Sequence, residues 1–431
     1  MLREMEAMPQ SPQAQIFAYQ FRCLSALLAE AEAHVPYYRE IFRNLGIRSR
    51  DIQNLSDFSA LPVLTKDIIR ERGQDLIRED VPLDKLRTSH SGGSTGVPLS
   101  FRHDSSYDDF AEAGTFRNLL QCGWKPGEMI AYVWGGNDQL YSIPSWQLEL
   151  RQFLRRRYQF DPFYSGAGEM DGWLKKWHRI KPSVMFGYAS TVARFAAHIQ
   201  AKGEHVPALK GVFTTAERLY QPQREVIANT FGCRVYDCYG SSEVRNIAAE
   251  CSEGRMHVNA DCVVLEVDRT GLAAKQPSPF IVTSLRNRVM PFIRYRSEDC
   301  GQLVEGTCDC GSNFPLMDLN IARISDNVLL PGGRVVHGEF FTHLMYGSAG
   351  ISSFQFHQTA VDSIVLWIVP DAGDPNARNR SIREAVEKVK KLDPALEIKV
   401  EVRITEAIPL SRAGKHRFIR SDIQSMTVVG N

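Results

Sequence analysis

A glycine-rich segment, Ser91-Gly92-Gly93-Ser94-Thr95-Gly96-Val97-Pro98, contains the residue types that can bind a phosphate group. Glycine reaches positive φ angles without steric cost, so successive backbone N–H groups can turn toward one anion, and the neighbouring hydroxyls add donors. The segment lacks the lysine of the P-loop pattern and the glycine spacing of the dinucleotide-binding pattern. It therefore predicts a polyphosphate site, with an ordinary small-residue turn as the alternative.

Three further segments place aromatic, acidic and basic side chains at close spacing. They are Tyr236-Asp237-Cys238-Tyr239-Gly240-Ser241-Ser242-Glu243, Arg294-Tyr295-Arg296-Ser297-Glu298-Asp299 and Pro409-Leu410-Ser411-Arg412-Ala413-Gly414-Lys415-His416-Arg417. The first follows a strand-like run and combines an aromatic ring, a turn glycine and a carboxylate. The second ends a strand-like run with an acid, and the third sets a lysine directly after a glycine.

In this order and at these separations, the four motifs resemble those of the adenylate-forming enzymes. This superfamily contains acyl-CoA synthetases, firefly luciferase and the adenylation domains of peptide synthetases. Three more segments look like phenylacetate-CoA ligases and their CapK-like, capsule-biosynthesis relatives: Val35-Pro36-Tyr37-Tyr38-Arg39, Leu61-Pro62-Val63-Leu64-Thr65-Lys66 and Phe186-Gly187-Tyr188-Ala189-Ser190. The resemblance spans almost the whole chain, but this branch contains several chemistries, so the substrate does not follow from it.

The resemblance implies roles for residues around a bound ATP. The glycine loop would hold the β- and γ-phosphates, and Glu243 would bind Mg²⁺ together with phosphate oxygens and water. Tyr239, next to Gly240, would stack on adenine, and Asp299 would accept both ribose hydroxyls. Glu217 matches a Gly-x-Glu segment that lines the adenine site in relatives, with Ala216 at its variable position. The alternative for each of these residues is packing, capping or a place in a surface loop.

The C-terminal lysine motif implies a catalytic cation. Lys415 would contact the α-phosphate and the attacking carboxylate oxygen, where positive charge counts most in the transition state. In the family, the small domain that bears this lysine rotates after adenylation and presents a second face for thiol attack. Arg323 would contact the ribose and Asp326 would serve as the pivot, although Ala322-Arg323 departs from the usual Gly-Arg.

A separate group of soft ligands consists of Cys251, His257, Cys308 and Cys310, with Cys300 nearby. Three thiolates and one imidazole could bind a structural zinc ion as a tetrahedron. Cys-x-Cys is less diagnostic than Cys-x-x-Cys, and some relatives have cysteine-rich segments at this place. The alternative is a set of reduced, buried thiols. No open position for a catalytic zinc ion is implied.

The acyl group is expected to bind between the mid-chain strands. The candidate lining residues are Trp134, Gly135, Phe186, Tyr188 and Thr214. Aromatic walls would suit a flat or aryl acid. The same aromatic side chains could equally belong to the hydrophobic core.

Composition bounds the class of protein. The 431 residues suit one large domain with a smaller one. With 51 basic and 50 acidic side chains, the net charge of +1 provides no bulk field for nucleic acid or an anionic membrane. No apolar run approaches about 18 residues, the first residues are charged, and nine cysteines fit reduced thiols. We therefore predict a cytoplasmic protein without nucleic-acid or membrane partners. The sequence does not determine the oligomeric state, and a homodimer is one alternative.

The pattern of helices and strands predicts an α/β fold. The first hundred residues read as helices, and Asp104–Gln121 as a helix after the glycine loop. From Met129 to Tyr239, strand-like runs alternate with helical patterns, which indicates parallel strands with ligands at their carboxyl ends. From Met256 to Val304, alternating strands predict a smaller β-subdomain.

The predicted domain organisation has three parts. Residues 1–322 form a large domain with mostly parallel sheet layers, residues 323–326 form a hinge, and residues 327–431 form a small, mobile α+β domain that carries Lys415. In the small domain, a charged helix is expected near Ser381–Lys391.

The function implied by these observations is ATP-dependent activation of a carboxylic acid. An acyl-adenylate would form with release of pyrophosphate, and the acyl group would pass to a thiol, with CoA as the first choice. One alternative is the same adenylation with transfer to an amine or to a carrier-protein thiol in a biosynthetic pathway. The chain could also be a non-catalytic nucleotide-binding protein, or a kinase or ATPase that releases ADP.

Overall fold

A computed structural model describes most of the chain. The described residues are 2–90, 99–135, 145–162, 167–269, 278–319, 328–331, 335–336, 338–345, 348–392, 398–409 and 416–423. The glycine loop with Ser91, Gly92, Gly93, Ser94, Thr95 and Gly96, the hinge with Arg323, and Lys415 lie outside these ranges. The roles assigned to them stay predictions.

The N-terminal part is helical, as predicted. Its helices are α1 Leu2–Ala7, α2 Gln13–His34, α3 Pro36–Leu45, α4 Leu55–Ser59 and α5 Lys66–Arg72. Local signals explain where these helices begin and end: the Thr65 hydroxyl accepts from the Ile68 amide at the start of α5, and Gly46 closes α3 at φ 67°. The buried stripe of α2 includes Leu24 and Leu28, while Phe17 is 41% exposed and lies off that stripe.

Two short strands flank the glycine-rich segment. Strand β1 (Arg87–His90) pairs antiparallel with β2 (Ser100–His103). Helix α6 (Ser105–Leu120) follows, and the Asp104 carboxylate accepts from the Tyr107 amide at 2.9 Å as its N-cap. The helix predicted after the glycine loop is confirmed.

The middle of the chain forms parallel strands with crossover helices, as predicted. The strands are β3 Ile130–Val133, β4 Arg157–Phe160, β5 Val184–Tyr188, β6 Gly211–Thr215 and β7 Val235–Tyr239. The helices are α7 Ser145–Leu154, α8 Ala167–Ile180, α9 Ala189–Ala201 and α10 Gln221–Phe231. Helices α8 to α10 share one hydrophobic cluster with one face of these strands, and α6 shares another cluster with the opposite face. The alternation of side chains along each strand produces the two faces.

Beyond β7 the strands become antiparallel, because short hairpins replace crossover helices. They are β8 Ala248–Glu250, β9 Met256–Val258, β10 Val263–Val267, β11 Ser278–Ser284, β12 Tyr295–Val304 and β13 Leu316–Asp318. Within the described residues the hydrogen-bonded order is β10-β11-β12-β13-β9-β8-β7-β6-β5-β3-β4. The strands predicted between Met256 and Val304 are present. They continue the sheet of the parallel strands, since β8 pairs directly with β7.

The chain divides into two compact units. The larger contains residues 1–297 and 301–319, and the smaller contains residues 298–300 and 320–431. The elements of the smaller unit are β14 Val328–Leu329, β15 Val335–Val336, α11 Gly338–Met345, β16 Ile351–Ala360, β17 Ser363–Pro370, α12 Pro375–Lys390, β18 Lys399–Ile404 and β19 Ile419–Ser421. Its described four-stranded sheet has the order β18-β17-β16-β19. Helix α12 begins before the predicted Ser381, because the Asp374 carboxylate caps it.

The α/β fold class predicted from the sequence is confirmed. None of the helices in the described ranges is both long and apolar enough to cross a lipid bilayer. The predicted hinge falls within the undescribed residues 320–327, so the domain boundaries stay a prediction.

Candidate functional site

The strand-end region lies at the carboxyl ends of the parallel strands. We define it as Trp134–Gly135, Phe186–Tyr188, Thr214–Glu217 and Tyr239–Glu243. The strand register aligns Tyr188 with Thr215 and Thr215 with Cys238, and it aligns Val133 with Gly187 one step earlier. Residues predicted to bind the nucleotide and the acyl group therefore follow neighbouring strands, where ligands of open α/β sheets bind.

Four aromatic side chains form a continuous wall in this region. The Trp134 ring centroid lies 4.9 Å from that of Tyr188 and 6.3 Å from that of Phe186. Tyr132 stacks on both Trp134 and Phe186 at 5.5 Å. Burial raises the pKa of Tyr188 above its usual range, and hydrogen bonding by the Gly135 backbone opposes that rise. Tyr132 was not among the predicted residues, but its two-residue offset from Trp134 along β3 places both on one face.

Thr214 belongs to a buried polar network. It has no exposed surface, and its hydroxyl lies 3.3 Å from the Tyr236 carbonyl oxygen and 3.1 Å from the Asp237 carboxylate. A hydroxyl engaged in this way supports the sheet, and its part in an acyl pocket stays a prediction. Burial, reinforced by the negative charge of Glu250, raises the pKa of Asp237 to about 7.

Glu250 is the second carboxylate of this network. Its oxygens accept from both terminal nitrogens of Arg224, at 3.1 and 2.7 Å, and from the Asp237 amide at 2.9 Å. The Arg224 guanidinium thus pairs with Glu250, and its positive charge only partly offsets the effects of burial and of Glu250 on the pKa of Asp237. Neither Asp237 nor Glu250 was assigned a role from the sequence, although Asp237 lies inside one of the motifs.

Glu217 lies where β6 leads into the next loop, and it contacts the start of α9. Its carboxylate accepts from the Ser190 backbone amide at 2.8 Å, which satisfies an amide of the first helical turn and places negative charge at the helix N-terminus. The preceding residue, Ala216, has a φ of 68°, a left-handed conformation that L side chains rarely adopt. Burial lowers the pKa of Arg194, and the negative charge of Glu217 opposes that shift.

The loop after β7 positions Glu243. A Cβ at Gly240 would lie 3.1 Å from the Asn246 amide nitrogen, so glycine permits the close approach of the two backbone segments. The loop is closed by the Ser241 amide, which donates to the Val244 carbonyl at 2.8 Å. Glu243 is 5% exposed, and the Tyr295 hydroxyl donates to its Oε1 at 3.3 Å. The carboxylate is a hard oxygen ligand of the kind that Mg²⁺ prefers.

Tyr239 and Asp299 were assigned to adenine and ribose. The Tyr239 ring lies 6.1 Å from the Phe280 ring at 46° and is half-buried. Asp299 is half-buried on β12, in the three-residue stretch that groups with the smaller unit. The assigned contacts of both residues with a nucleotide stay predictions.

The Cys/His cluster consists of Cys251, His257, Cys308 and Cys310. The four potential ligand atoms all lie within 4.8 Å of one another, and Cys300 is not among them. The structure thus brings together four residues that are separated by up to 59 positions in the sequence (310 minus 251). Burial lowers the pKa of His257, while burial and the neighbouring thiols raise the pKa of Cys310 to about 12.

Comparisons with known proteins give relatives over most of the chain. No family model matches it. It is 24% identical to Protein CapK of Staphylococcus aureus over 402 residues, which cover 90% of this chain and 85% of the relative. It is 27% identical to the phenylacetate-coenzyme A ligase of Escherichia coli K12, over 74% of this chain and 73% of the ligase.

Among solved structures, the fold is similar to that of a 2-hydroxyisobutyryl-CoA ligase. That structure represents the postadenylation state and contains an acyl-adenylate. The TM-score is 0.76 at 21% identity, and the alignment covers 96% of this chain and 91% of the ligase. At this identity the likeness concerns the fold.

Proposed function

We propose that this chain is an AMP-forming acid–thiol ligase. The premise is that it is a relative of CapK and the phenylacetate-coenzyme A ligases and has the fold of an adenylate-forming enzyme. Its substrates are ATP, a small or aryl carboxylic acid and a thiol, with CoA as the principal acceptor. The observation that carries the proposal is the strand-end region. There, an aromatic wall and the two acids Glu217 and Glu243 follow adjacent parallel strands in the order that the family motifs require.

The proposed reaction has two steps. In the first, a carboxylate oxygen of the acid attacks the α-phosphorus of ATP, the bond from that phosphorus to the bridging oxygen breaks, and pyrophosphate leaves. In the second, the thiol sulfur attacks the acyl carbonyl, its proton passes to solvent, and AMP leaves as the thioester forms. The enzyme must stabilise negative charge that develops on phosphate oxygens in the first step.

Each step of the proposed reaction is assigned to particular residues of the chain. The Glu243 carboxylate, oriented by the Tyr295 hydroxyl, is the proposed Mg²⁺ ligand, and the bound ion would neutralise phosphate charge. The resemblance assigns the phosphates to the glycine loop, adenine to Tyr239 and the ribose hydroxyls to Asp299. Lys415 is the proposed cation at the α-phosphate.

The acid is proposed to bind against the aromatic wall. Phe186 and Tyr188 are only 7% and 3% exposed, whereas Trp134 is half-buried. An aryl ring or a short apolar chain is therefore proposed to pack against Trp134, which contacts both of the other rings. This arrangement supports an uncharged acyl chain over a strongly polar one.

A second candidate differs only in the acceptor. The match to CapK covers 90% of this chain, against 74% for the phenylacetate-coenzyme A ligase of Escherichia coli. The name of CapK states no acyl acceptor, so transfer to an amine or a carrier-protein thiol stays the alternative second step. Offering CoA, amines and a pantetheinyl carrier in turn to the adenylated enzyme separates the two candidates.

The test of the first step is ATP–pyrophosphate exchange without CoA, across a panel of aryl, hydroxy and amino acids. We expect acid-dependent exchange in the wild type and a loss of roughly 10²-fold in Glu243→Gln, because the neutral amide binds Mg²⁺ poorly. Glu225→Gln, an exposed carboxylate on α10, is the matched control and should retain full exchange.

Two outcomes would overturn the proposal. Formation of ADP and phosphate would indicate a kinase or an ATPase. Tight ATP binding with no exchange for any acid would favour a non-catalytic nucleotide-binding protein.

A further inference from the structure

The Cys/His cluster has the composition and geometry of a metal site. We propose that Cys251, His257, Cys308 and Cys310 bind one structural zinc ion. Three sulfurs and one imidazole nitrogen form the ligand set, and they come from two loops of the larger unit: the β8–β9 turn with the start of β9, and the loop between β12 and β13.

Two of the six distances between the ligand atoms match a tetrahedron around zinc, and all six are within 4.8 Å. For Zn–S bonds of about 2.3 Å and a Zn–N bond of about 2.05 Å, tetrahedral geometry places two sulfurs about 3.8 Å apart and a sulfur and nitrogen about 3.6 Å apart. The Cys251 and Cys308 sulfurs are 3.7 Å apart, and the Cys310 sulfur lies 3.4 Å from His257 Nε2. These spacings arise among four side chains, two of which are only 5% exposed.

The imidazole of His257 presents the correct nitrogen. Its Nδ1 lies 2.9 Å from the Phe314 carbonyl oxygen, and a carbonyl can only accept. Nδ1 therefore carries the proton, and Nε2 is left with its lone pair toward the three sulfurs. A backbone carbonyl in this position is the usual outer partner of a histidine that binds a metal.

Backbone amides support the sulfurs from outside the cluster. The Glu253 amide lies 3.4 Å from the Cys251 sulfur, and the Ser312 amide lies 3.4 Å from the Cys310 sulfur. Each cysteine loop turns at a glycine with positive φ: Gly254 at 73° donates to the Cys251 carbonyl, and Gly311 at 82° donates to the Cys308 carbonyl. Both turns point amides at sulfur, which stabilises thiolates.

A disulfide and a catalytic zinc ion fit this geometry less well. The sulfur pair at 3.7 Å is far from the S–S bond length of about 2.05 Å. Four protein ligands fill a tetrahedron and leave no position for water or substrate, so the site is structural. Thiolate and imidazole ligands select zinc over Mg²⁺ and Ca²⁺.

The ion would hold together segments that are distant in the sequence. It would join the β8–β9 turn to the loop between β12 and β13, and that loop also anchors the N-terminal segment. The Asn313 amide donates to the Pro9 carbonyl at 2.7 Å, and its side chain donates to the Ser11 carbonyl at 3.1 Å. Loss of the metal should therefore loosen the packing of the first residues as well as the two loops.

The test is elemental analysis of full-length protein purified without added metal. We expect about one zinc ion per chain in the wild type and less than a tenth of that in Cys308→Ser, because a serine hydroxyl is a poor substitute for a thiolate. Cys23→Ser, a half-buried cysteine on α2, is the matched control and should retain the metal. The thermal midpoint should fall in Cys308→Ser and stay unchanged in Cys23→Ser.

A second measurement keeps the proposal testable if Cys308→Ser does not fold. Wild-type protein reconstituted with Co²⁺ should show the visible absorption bands of tetrahedral cobalt together with sulfur-to-metal charge transfer. Absence of zinc in the purified wild type, together with no cobalt spectrum, would overturn the proposal. So would a Cys251–Cys308 disulfide found by mass spectrometry. These readouts do not depend on the proposed ligase activity.

Discussion

The strand-end region and the Cys/His cluster flank the same short strand, β8, but their polar groups are arranged differently. The loop with Glu243 leads into β8, and Cys251 follows it directly. In the strand-end region, polar groups contact nearby protein groups: Glu217 accepts from Ser190, and Glu243 accepts from Tyr295. In the Cys/His cluster, four ligand atoms face one another and backbone groups support them from outside.

This difference indicates two kinds of site. The cluster has a full set of four ligands within the described residues, so its proposed metal needs nothing else from the chain. The strand-end region holds acids and aromatic rings, while the cation and the phosphate-binding amides of the proposed reaction come from other segments. We therefore expect changes in the strand-end chemistry to alter rates, and changes in buried packing to alter stability.

The largest expected effect is on the rate of adenylation. Lys415→Ala should lower ATP–pyrophosphate exchange by roughly 10²–10³-fold, because one preorganised positive charge at the transition state is lost. Thiolysis of a supplied acyl-adenylate should remain, since the role proposed for the lysine is confined to adenylation. The measurement compares the two half-reactions in the same preparation.

The control for this variant is Lys390→Ala, an exposed lysine at the end of α12. It should retain both half-reactions. Equal losses of adenylation and thiolysis in Lys415→Ala would contradict a role confined to the first step. They would also weaken the expectation that changes in the reaction chemistry alter rates while changes in packing alter stability.

The next effect concerns the pH dependence of stability. The pKa of Asp237 is raised from 3.8 to about 7 in the folded chain, so the folded state holds its proton more tightly than the unfolded state. The wild type should therefore lose stability as pH rises from about 4 to 7, with little further change above. Asp237→Asn keeps an oxygen acceptor for the Thr214 hydroxyl and the Cys238 amide, and it removes this titration.

At pH 8, we expect the unfolding free energy of Asp237→Asn to be higher than that of the wild type by on the order of 2–4 kcal/mol, since each pKa unit corresponds to about 1.4 kcal/mol. Urea titrations at pH 5 and pH 8 measure the difference. Asp171→Asn is the control, because hydrogen bonds from His198 and Lys202 lower the pKa of this half-buried acid, so the variant should show no gain at pH 8. A pH-independent difference between Asp237→Asn and the wild type would contradict the buried titration.

The smallest expected effect is on stability and concerns Ala216, which precedes Glu217 and has a strained backbone conformation. Ala216→Gly should raise the unfolding free energy by about 1 kcal/mol, because the φ of 68° is unfavourable for a side chain with a Cβ. The reciprocal control is Gly203→Ala at φ 64°, where no atom lies within 4 Å of the added Cβ and a loss of similar size is expected. If Ala216→Gly destabilises the protein, then the conformation of Ala216 is not a source of strain.

Local patterns predicted much of the fold. Helix α6 was predicted from its cap at Asp104 and its apolar period, and the parallel strands from short apolar runs between helical segments. These signals depend on neighbours within a few residues, which is why they can be read along the chain. The start of α12 was predicted too late, because the Asp374 cap lies before a polar first turn without apolar period.

The candidate sites were predictable to different extents. Cys251, His257, Cys308 and Cys310 were named from residue type, and the structure brings their ligand atoms together. The partners of the acids were not foreseen: Tyr295 is 52 residues from Glu243, and Ser190 is 27 residues from Glu217. No local period connects such pairs, since strand register and packing determine which of them meet.

The sequence by itself determined which chemistry the chain can provide: the acids, the aromatic rings, the soft ligands and the order in which strands and helices follow one another. Only the tertiary structure decided which of these groups become neighbours. The register of β5, β6 and β7 aligns Tyr188, Thr215 and Cys238, and the pairing of β13 with β9 aligns Leu316 with His257. Residue type and short-range conformation are local properties of a chain, whereas these contacts form when distant segments bury their apolar faces together.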